Sequence, residues 1–129
     1  MKLPSRVLVT GGAGYIGSHC CKALSEVGVT PVVFDNLSRG HAEAVKWGAL
    51  IKGDVRDRDL LLDTLHREKI GAVIHFAALA YVGESVEQSD WYYDINVGGM
   101  IGVLHAMKKA GLRAIVFSSS CATYGDPKT

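Results

Sequence analysis

The feature that most limits how this chain can fold is a glycine-rich segment near its N-terminus. Gly11, Gly14 and Gly17 are spaced three residues apart and directly follow a β-branched run at residues 6–10. Apolar residues then recur at helical spacing until Gly28 provides a helix stop. This pattern predicts a strand, a tight turn and a helix in succession, because glycine adopts the positive φ of such a turn at little cost.

The rest of the chain alternates short apolar runs with amphipathic stretches. Further strands are predicted at residues 31–35, 49–53, 72–77 and 112–118, helices at 57–69 and 89–109, and a short helix at 42–47. Strands that alternate with helices form a parallel sheet covered on both faces, and right-handed crossovers favour the strand order 3-2-1-4-5. The sequence therefore predicts an α/β fold, a doubly wound parallel sheet of the Rossmann type.

Composition excludes several classes of protein. With 14 basic and 13 acidic residues among 129, the net charge of +1 provides no electrostatic footprint for nucleic acid or an anionic membrane. No apolar run approaches the ~18 residues of a membrane span. Cys20, Cys21 and Cys121 form no C-x-x-C pair, and the histidines show no metal-ligand spacing. We expect a cytoplasmic protein with no metal, nucleic-acid or membrane partner.

An acidic residue supports a dinucleotide as the ligand of the glycine turn. A missing side chain at Gly14 would let backbone N–H groups approach a pyrophosphate, and the helix N-terminus would add partial positive charge. Asp35 ends the second predicted strand 18 residues after Gly17, close to the roughly 20 typical of a ribose-binding carboxylate. Such a carboxylate repels a 2′-phosphate, so NAD is favoured over NADP. Arg39 is a nearby residue that could instead accommodate that phosphate.

Longer sequence blocks connect the chain to a known family. In chain order they are T-G-G-A-G-Y-I-G-S-H (10–19), D-N-L-S-R-G (35–40), G-D-V-R-D (53–57), H-F-A-A (75–78), V-G-E-S (82–85), N-V-x-G (96–99) and F-S-S-S-C-A-T-Y-G (117–125). With these blocks, nearly the whole chain resembles the UDP-glucose (UDP-galactose) 4-epimerases, which are extended short-chain dehydrogenases. The resemblance implies an NAD-dependent isomerase, here its N-terminal part.

The resemblance also implies which residues contact NAD. They lie in the glycine turn and at the ends of the second to fifth predicted strands, with one more in the long predicted helix. They are Gly11, Gly14, Tyr15, Ile16 and Gly17 for the pyrophosphate, Asp35, Asn36 and Ser38 for the ribose, Asp54 and Val55 for the adenine, and Phe76, Ala77, Ala78, Asn96 and Ser118 elsewhere in the pocket. Ala80 stands where several family members have a lysine, so one cofactor contact differs here.

The family reaction oxidises and re-reduces C4 of a UDP-sugar through a 4-keto intermediate. By resemblance, Ser120 binds the sugar 4-OH, and the base is the tyrosine of a helical Y-x-x-x-K motif. Tyr124 and Lys128 have that spacing, but Gly125 and Pro127 disfavour a helix between them. We therefore expect the base and the UDP-sugar domain to lie beyond residue 129. The 129-residue chain would be an incomplete NAD-binding domain that binds NAD without turnover.

Other functions fit the same residues. The H-F-A-A, V-G-E-S and S-C-A-T-Y-G blocks are also similar to those of UDP-arabinose (UDP-xylose) 4-epimerases. A sugar-nucleotide dehydratase or reductase would keep the fold, although those relatives usually carry an acidic residue near the active-site hydroxyl, and residues 118–125 have none. A non-catalytic dinucleotide-binding module is a third possibility. In the family, the long helix joins a dimer-forming bundle, which implies a homodimer.

Overall fold

The computed structural model describes residues 2–126 and 128, and they form a five-stranded parallel sheet in the order 3-2-1-4-5. The strands are β1 (Arg6–Thr10), β2 (Thr30–Asp35), β3 (Ala49–Lys52), β4 (Ala72–His75) and β5 (Ile115–Phe117). This confirms the doubly wound fold expected from the sequence. Because every pair is parallel, the carboxyl ends of all five strands meet at one edge.

Within the described residues, five α-helices accompany the sheet: α1 (Tyr15–Glu26), α2 (Arg58–Arg67), α3 (Val82–Glu87), α4 (Ser89–Tyr93) and α5 (Gly99–Ala110). Single 3₁₀ turns cover Ala42–Ala44 and Cys121–Tyr124. Within residues 2–126 and 128, no helix is long and apolar enough to span a membrane, and no cluster of three metal-ligand side chains occurs.

The helices differ from the predicted ones in three places. The single helix predicted at 89–109 is interrupted by a π-helical turn at Asp94–Gly98, which separates α4 from α5. Helix α3 was not predicted, because it contains Gly83 and buries none of its residues, so it has no apolar stripe. The helix predicted at 42–47 is one 3₁₀ turn, since Val45 is already extended at ψ 92°. Val45 and Trp47 each pack against the core layer that contains Val33.

Strand β1 shows how the sequence fills the core on both faces of the sheet. Its side chains alternate, so Leu8 faces one layer while Val7 and Val9 face the other, all at most 3% exposed. The Leu8 layer packs against α2 and α5 and includes Val32, Phe34, Leu61, Val73 and Val103, while the opposite layer includes Val33 and, from α1, Cys21. Each such side chain stabilises the fold by roughly 1.5–3 kcal/mol.

A buried polar pair joins the ends of β1 and β4. Thr10 Oγ1 lies 2.6 Å from His75 Nδ1, and both side chains are at most 2% exposed. The Ala77 N–H donates to Thr10 Oγ1 at 3.3 Å, which leaves the hydroxyl hydrogen for a neutral imidazole nitrogen. The His75 ring also stacks on Phe117, with ring centroids 6.2 Å apart. Burial lowers the pKa of His75 to about 4, so its ring is neutral in the folded protein at pH 7.

The buried histidine predicts an acid-sensitive fold. The pKa of His75 is about 4 when folded and 6.5 when exposed, so the unfolded chain binds more protons and stability falls as pH drops through this range. The free energy of unfolding in urea should decrease by about 2 kcal/mol between pH 7 and pH 5. His75→Asn, which cannot titrate, should flatten this profile. Val73→Ala should lower stability and keep the slope, and an equally steep profile for His75→Asn would contradict the assignment.

Candidate functional site

A cleft opens at the carboxyl edge of the sheet, where the chain order reverses between β1 and β4. It is lined by ten of the residues predicted to bind a cofactor: Gly11, Gly14, Asp35, Asn36, Ser38, Asp54, Val55, Phe76, Ala77 and Ala78. Six further lining residues were not predicted as contacts: Phe34, Arg39, Gly40, Gly53, Leu79 and Ile95. A crevice at this switch point is where open α/β sheets bind their ligands.

The glycine turn forms the floor of the cleft at very close range. Gly11 has φ 71°, and a Cβ added there would lie only 2.8 Å from the Ala77 backbone nitrogen. A Cβ at Gly17 would overlap the Gly11 carbonyl oxygen, so the first turn of α1 rests directly on the loop. The Gly14 N–H donates to the Gly11 carbonyl at 3.1 Å, and Gly14 caps α1. The unpaired N–H groups of the first helical turn therefore begin at the cleft floor.

Asp35 ties the end of β2 to this turn. One carboxylate oxygen accepts the Ala13 N–H at 3.0 Å, and the other accepts the Leu37 N–H at 2.8 Å. The second bond holds Leu37 at the positive φ of 61°. Asp35 is 8% exposed and lines the cleft. Each carboxylate oxygen keeps acceptor capacity beyond these bonds, so the group can still receive hydroxyl donors.

The wall next to Asp54 is fixed by an arginine that the sequence did not single out. Arg56 donates to both Asp54 oxygens, at 2.9 and 2.8 Å, and to the Asp94 carboxylate at 2.6 Å. The hydrogen bond from Arg56 is the main reason that the pKa of Asp54 lies below its usual value. Asp54 is therefore charged, and the loop after β3 is anchored to the helical segment around Asp94.

Five of the predicted cofactor residues do not line the cleft. Gly17 is buried beneath the turn, while Tyr15 and Ile16 are 81% and 65% exposed on the first turn of α1. Ser118 lies just after β5, where its N–H donates to the His75 carbonyl at 3.4 Å. The fifth is Asn96, in the π-helical turn.

Asn96 shapes the cleft from behind its wall. Its side-chain oxygen accepts the Leu79 N–H at 2.8 Å, and its side-chain nitrogen donates to the Leu79 carbonyl at 2.9 Å. The amide thus replaces a strand partner for the loop that follows β4. That loop carries Phe76, Ala77 and Ala78 into the cleft. Asn96 therefore positions these three residues, although it does not line the cleft itself.

Arg39 joins the loop after β2 to helix α3. Its Nη2 donates to both oxygens of Glu84 in α3, at 2.8 and 2.7 Å, and its guanidinium lies 4.8 Å from the centre of the Tyr81 ring. The Tyr92 hydroxyl also donates to Glu84, at 2.7 Å. The sequence identified Arg39 as a residue near the ribose, but nothing in it indicated a partner 45 positions away.

Ser120 stands at the same sheet edge, beyond β5 and outside the lining of the cleft. Its Oγ accepts the Ala122 N–H at 3.1 Å and caps the 3₁₀ turn Cys121–Tyr124. Ser119 before it has φ 59°, an uncommon conformation for a residue other than glycine. The chain therefore turns sharply here and presents the Ser120 hydroxyl from a capped, exposed position.

The Tyr124 and Lys128 pair does not form the helical motif. The 3₁₀ turn ends at Tyr124, and Gly125 at φ 67° redirects the chain. The two side chains therefore do not share a helix face, as expected from Gly125. Pro127, which also disfavoured a helix, lies outside the described residues, as does Thr129.

The glycine turn at the switch point and the acidic end of β2 are features typical of dinucleotide-binding Rossmann domains. The sequence matches the model of the NAD dependent epimerase/dehydratase family over residues 7–129. The chain belongs to this family.

Individual relatives narrow the resemblance. The chain is 56% identical to the UDP-glucose 4-epimerase of Rhizobium meliloti (strain 1021), over 95% of this chain and 38% of that protein. The Brucella ovis UDP-glucose 4-epimerase, crystallised with NAD, superposes with a TM-score of 0.90 at 52% identity, over 97% of this chain and 38% of that one. The Stenotrophomonas maltophila enzyme, with NAD and formylated UDP-arabinopyranose, superposes with a TM-score of 0.89 at 41% identity, over 97% of this chain and 40% of that one. The chain thus spans about two fifths of these relatives.

The packing of the turn predicts unequal effects for two glycine substitutions. Gly17→Ala places a methyl group on the Gly11 carbonyl, so it should lower the free energy of unfolding by about 2 kcal/mol. Gly83→Ala is the matched control, because nothing lies within 4 Å of its added Cβ. Alanine also favours helix α3, so this control should be neutral or slightly stabilising. Urea unfolding measures both, and equal effects would refute the close packing.

Proposed function

We propose that this chain is the NAD-binding part of a UDP-sugar 4-epimerase, with UDP-glucose and UDP-galactose as the leading pair of substrates. The observation that carries the proposal is Asp35, which lines the cleft beside the glycine turn and retains acceptor capacity for ribose hydroxyls. The 56% identity to a UDP-glucose 4-epimerase supports the choice of reaction.

The cleft residues fit a dinucleotide in shape and charge. Gly14, which has no side chain, lines the cleft at the start of α1, so a pyrophosphate could approach the N–H groups there, which would neutralise it. Asp35 would hold the adenosine ribose, and the loop around Asp54 would border the adenine. The residues after β4 would line the nicotinamide side. NAD held by these residues would supply a hydride acceptor and donor for sugar C4.

Ser120 would contact the sugar at the reacting carbon. Because the Ala122 N–H already donates to its Oγ, the hydroxyl hydrogen stays available as a donor to the sugar oxygen. Residues 1–129 would form the dinucleotide-binding domain. The tyrosine base, its lysine and the UDP-sugar domain would come from sequence corresponding to the rest of the relatives' length.

The sugar is the part of the proposal with a competing candidate. The structure of the Stenotrophomonas maltophila enzyme with formylated UDP-arabinopyranose favours a UDP-pentose as the second choice, UDP-arabinose and UDP-xylose. A non-catalytic dinucleotide-binding module would use the same cleft and no sugar. Interconversion of UDP-hexoses or UDP-pentoses by a protein containing this chain separates these functions.

An exposed apolar face supports a homodimer as the assembly. Tyr93, Val97, Ile101 and Leu104 follow one another at helical spacing along α4, the π-helical turn and α5, and each is at least 46% exposed. Such a stripe along one helical path is typical of a face that packs against another helical surface.

Cofactor binding tests the proposed function directly. NAD at a hundredfold excess over its dissociation constant should stabilise the chain by about 2.7 kcal/mol and raise its melting temperature by several degrees. NADP should have a much smaller effect, because Asp35 repels the 2′-phosphate. Asp35→Asn should remove most of the NAD response. If neither cofactor changes the melting temperature, the cleft is not a dinucleotide site.

Sedimentation tests the homodimer. Ile101→Glu places a charge in the middle of the stripe, so the wild-type dimer should dissociate into monomers in this variant. Lys109→Glu, at an exposed position off the stripe near the end of α5, is the charge-changing control and should sediment as the wild type does. A monomeric wild-type chain at high concentration would exclude this interface.

A further inference from the structure

The cleft contains a positively charged side chain of the kind that binds the 2′-phosphate of a nucleotide. Arg39 lines the cleft four residues after Asp35 and is the sole arginine among its described lining residues. An arginine beside the ribose pocket is the group that accommodates the 2′-phosphate in NADP-binding Rossmann domains. If the proposed NAD site is correct, the chain must prevent Arg39 from acting in this way.

The Arg39 guanidinium forms an ion pair with Glu84. Both Glu84 oxygens accept from Arg39 Nη2, at 2.8 and 2.7 Å, and the Tyr81 ring lies 4.8 Å from the guanidinium carbon. The hydrogen bonds within this group keep the pKa of Glu84 below, and that of Arg39 above, the usual value, so both are charged. The ion pair therefore cancels the positive charge of Arg39 within the cleft.

Glu84 is itself held in place by a second contact. The Tyr92 hydroxyl donates to Glu84 at 2.7 Å and accepts the Tyr81 N–H at 3.1 Å. Tyr92 is 7% exposed and packs in a small cluster with Leu79 and Ile95, two residues of the cleft wall. The carboxylate is thus attached to a buried anchor, whereas Arg39 belongs to the loop after β2.

We propose that Glu84 is a specificity-determining residue, which withholds Arg39 from a 2′-phosphate and so adds to the NAD preference set by Asp35. This inference rests on the proposed NAD site. To reach a 2′-phosphate, Arg39 would have to leave Glu84, and the Glu84 carboxylate would lose its cation while the Asp35 carboxylate already faces the new anion in the cleft. Without Glu84, the arginine would be available at no such cost.

The test compares dissociation constants for NAD and NADP, measured by calorimetric titration of the chain. Glu84→Gln and Glu84→Ala should each lower the dissociation constant for NADP about tenfold, the gain of a charge-assisted contact, and change that for NAD little. Arg39→Gln combined with Glu84→Gln should lose the gain, because no guanidinium remains. Thermal melts of each variant establish that it is folded.

A matched control separates the ion pair from its anchor. Tyr92→Phe removes the hydroxyl that donates to Glu84 but keeps the carboxylate and its pair with Arg39, so the dissociation constant for NADP should fall much less than in the Glu84 variants. If the wild-type chain binds NAD but both Glu84 variants keep its ratio of NADP to NAD dissociation constants, this inference alone is overturned. The same holds if the double variant binds NADP as tightly as the Glu84 variants do. Absence of NAD binding by the wild-type chain overturns the proposed function and the inference together.

Discussion

The contact between the glycine turn and the loop after β4 is the constraint on which the cleft depends. With no side chain at Gly11, the two backbones approach closely enough that an added Cβ would meet the Ala77 nitrogen at 2.8 Å. The Thr10 hydroxyl spans the same gap, because it contacts His75 and accepts the Ala77 N–H. The floor and one wall of the cleft are therefore a single packed unit, and the remaining walls are added to it by longer-range contacts.

Features that depend on neighbouring residues were predictable from the sequence. The strand, turn and helix around Gly14 follow from glycine spacing and apolar periodicity, and the sheet order follows from the alternation of elements with right-handed crossovers. Asp35 was identified by its distance from Gly17, which reflects the fixed length of a β-α-β unit. Ten of the residues that the family resemblance implies as NAD contacts line one cleft.

Features that depend on tertiary contacts were not predictable. Glu84 joins Arg39 across 45 positions, and Asn96 binds the backbone of Leu79 across 17, so neither pair leaves a periodic signal. The interrupted helix was missed for a related reason: a π-helical turn adds one residue to a turn without changing which residues are apolar. The sequence thus predicted the framework and the residues nearest the turn. The contacts that hold the outer walls join residues far apart in the chain, so only the folded structure shows them.

The two backbone bonds of Asp35 have a consequence for how coenzyme preference can evolve. The carboxylate that would select the ribose also closes the turn through Leu37 and attaches β2 to Ala13. In a mutational scan, substitutions at position 35 should therefore lower the amount of folded protein as well as change coenzyme selectivity. A change of coenzyme would therefore begin with substitutions at positions whose side chains do not hold the backbone in this way. Substitution of Asp35 itself would come later.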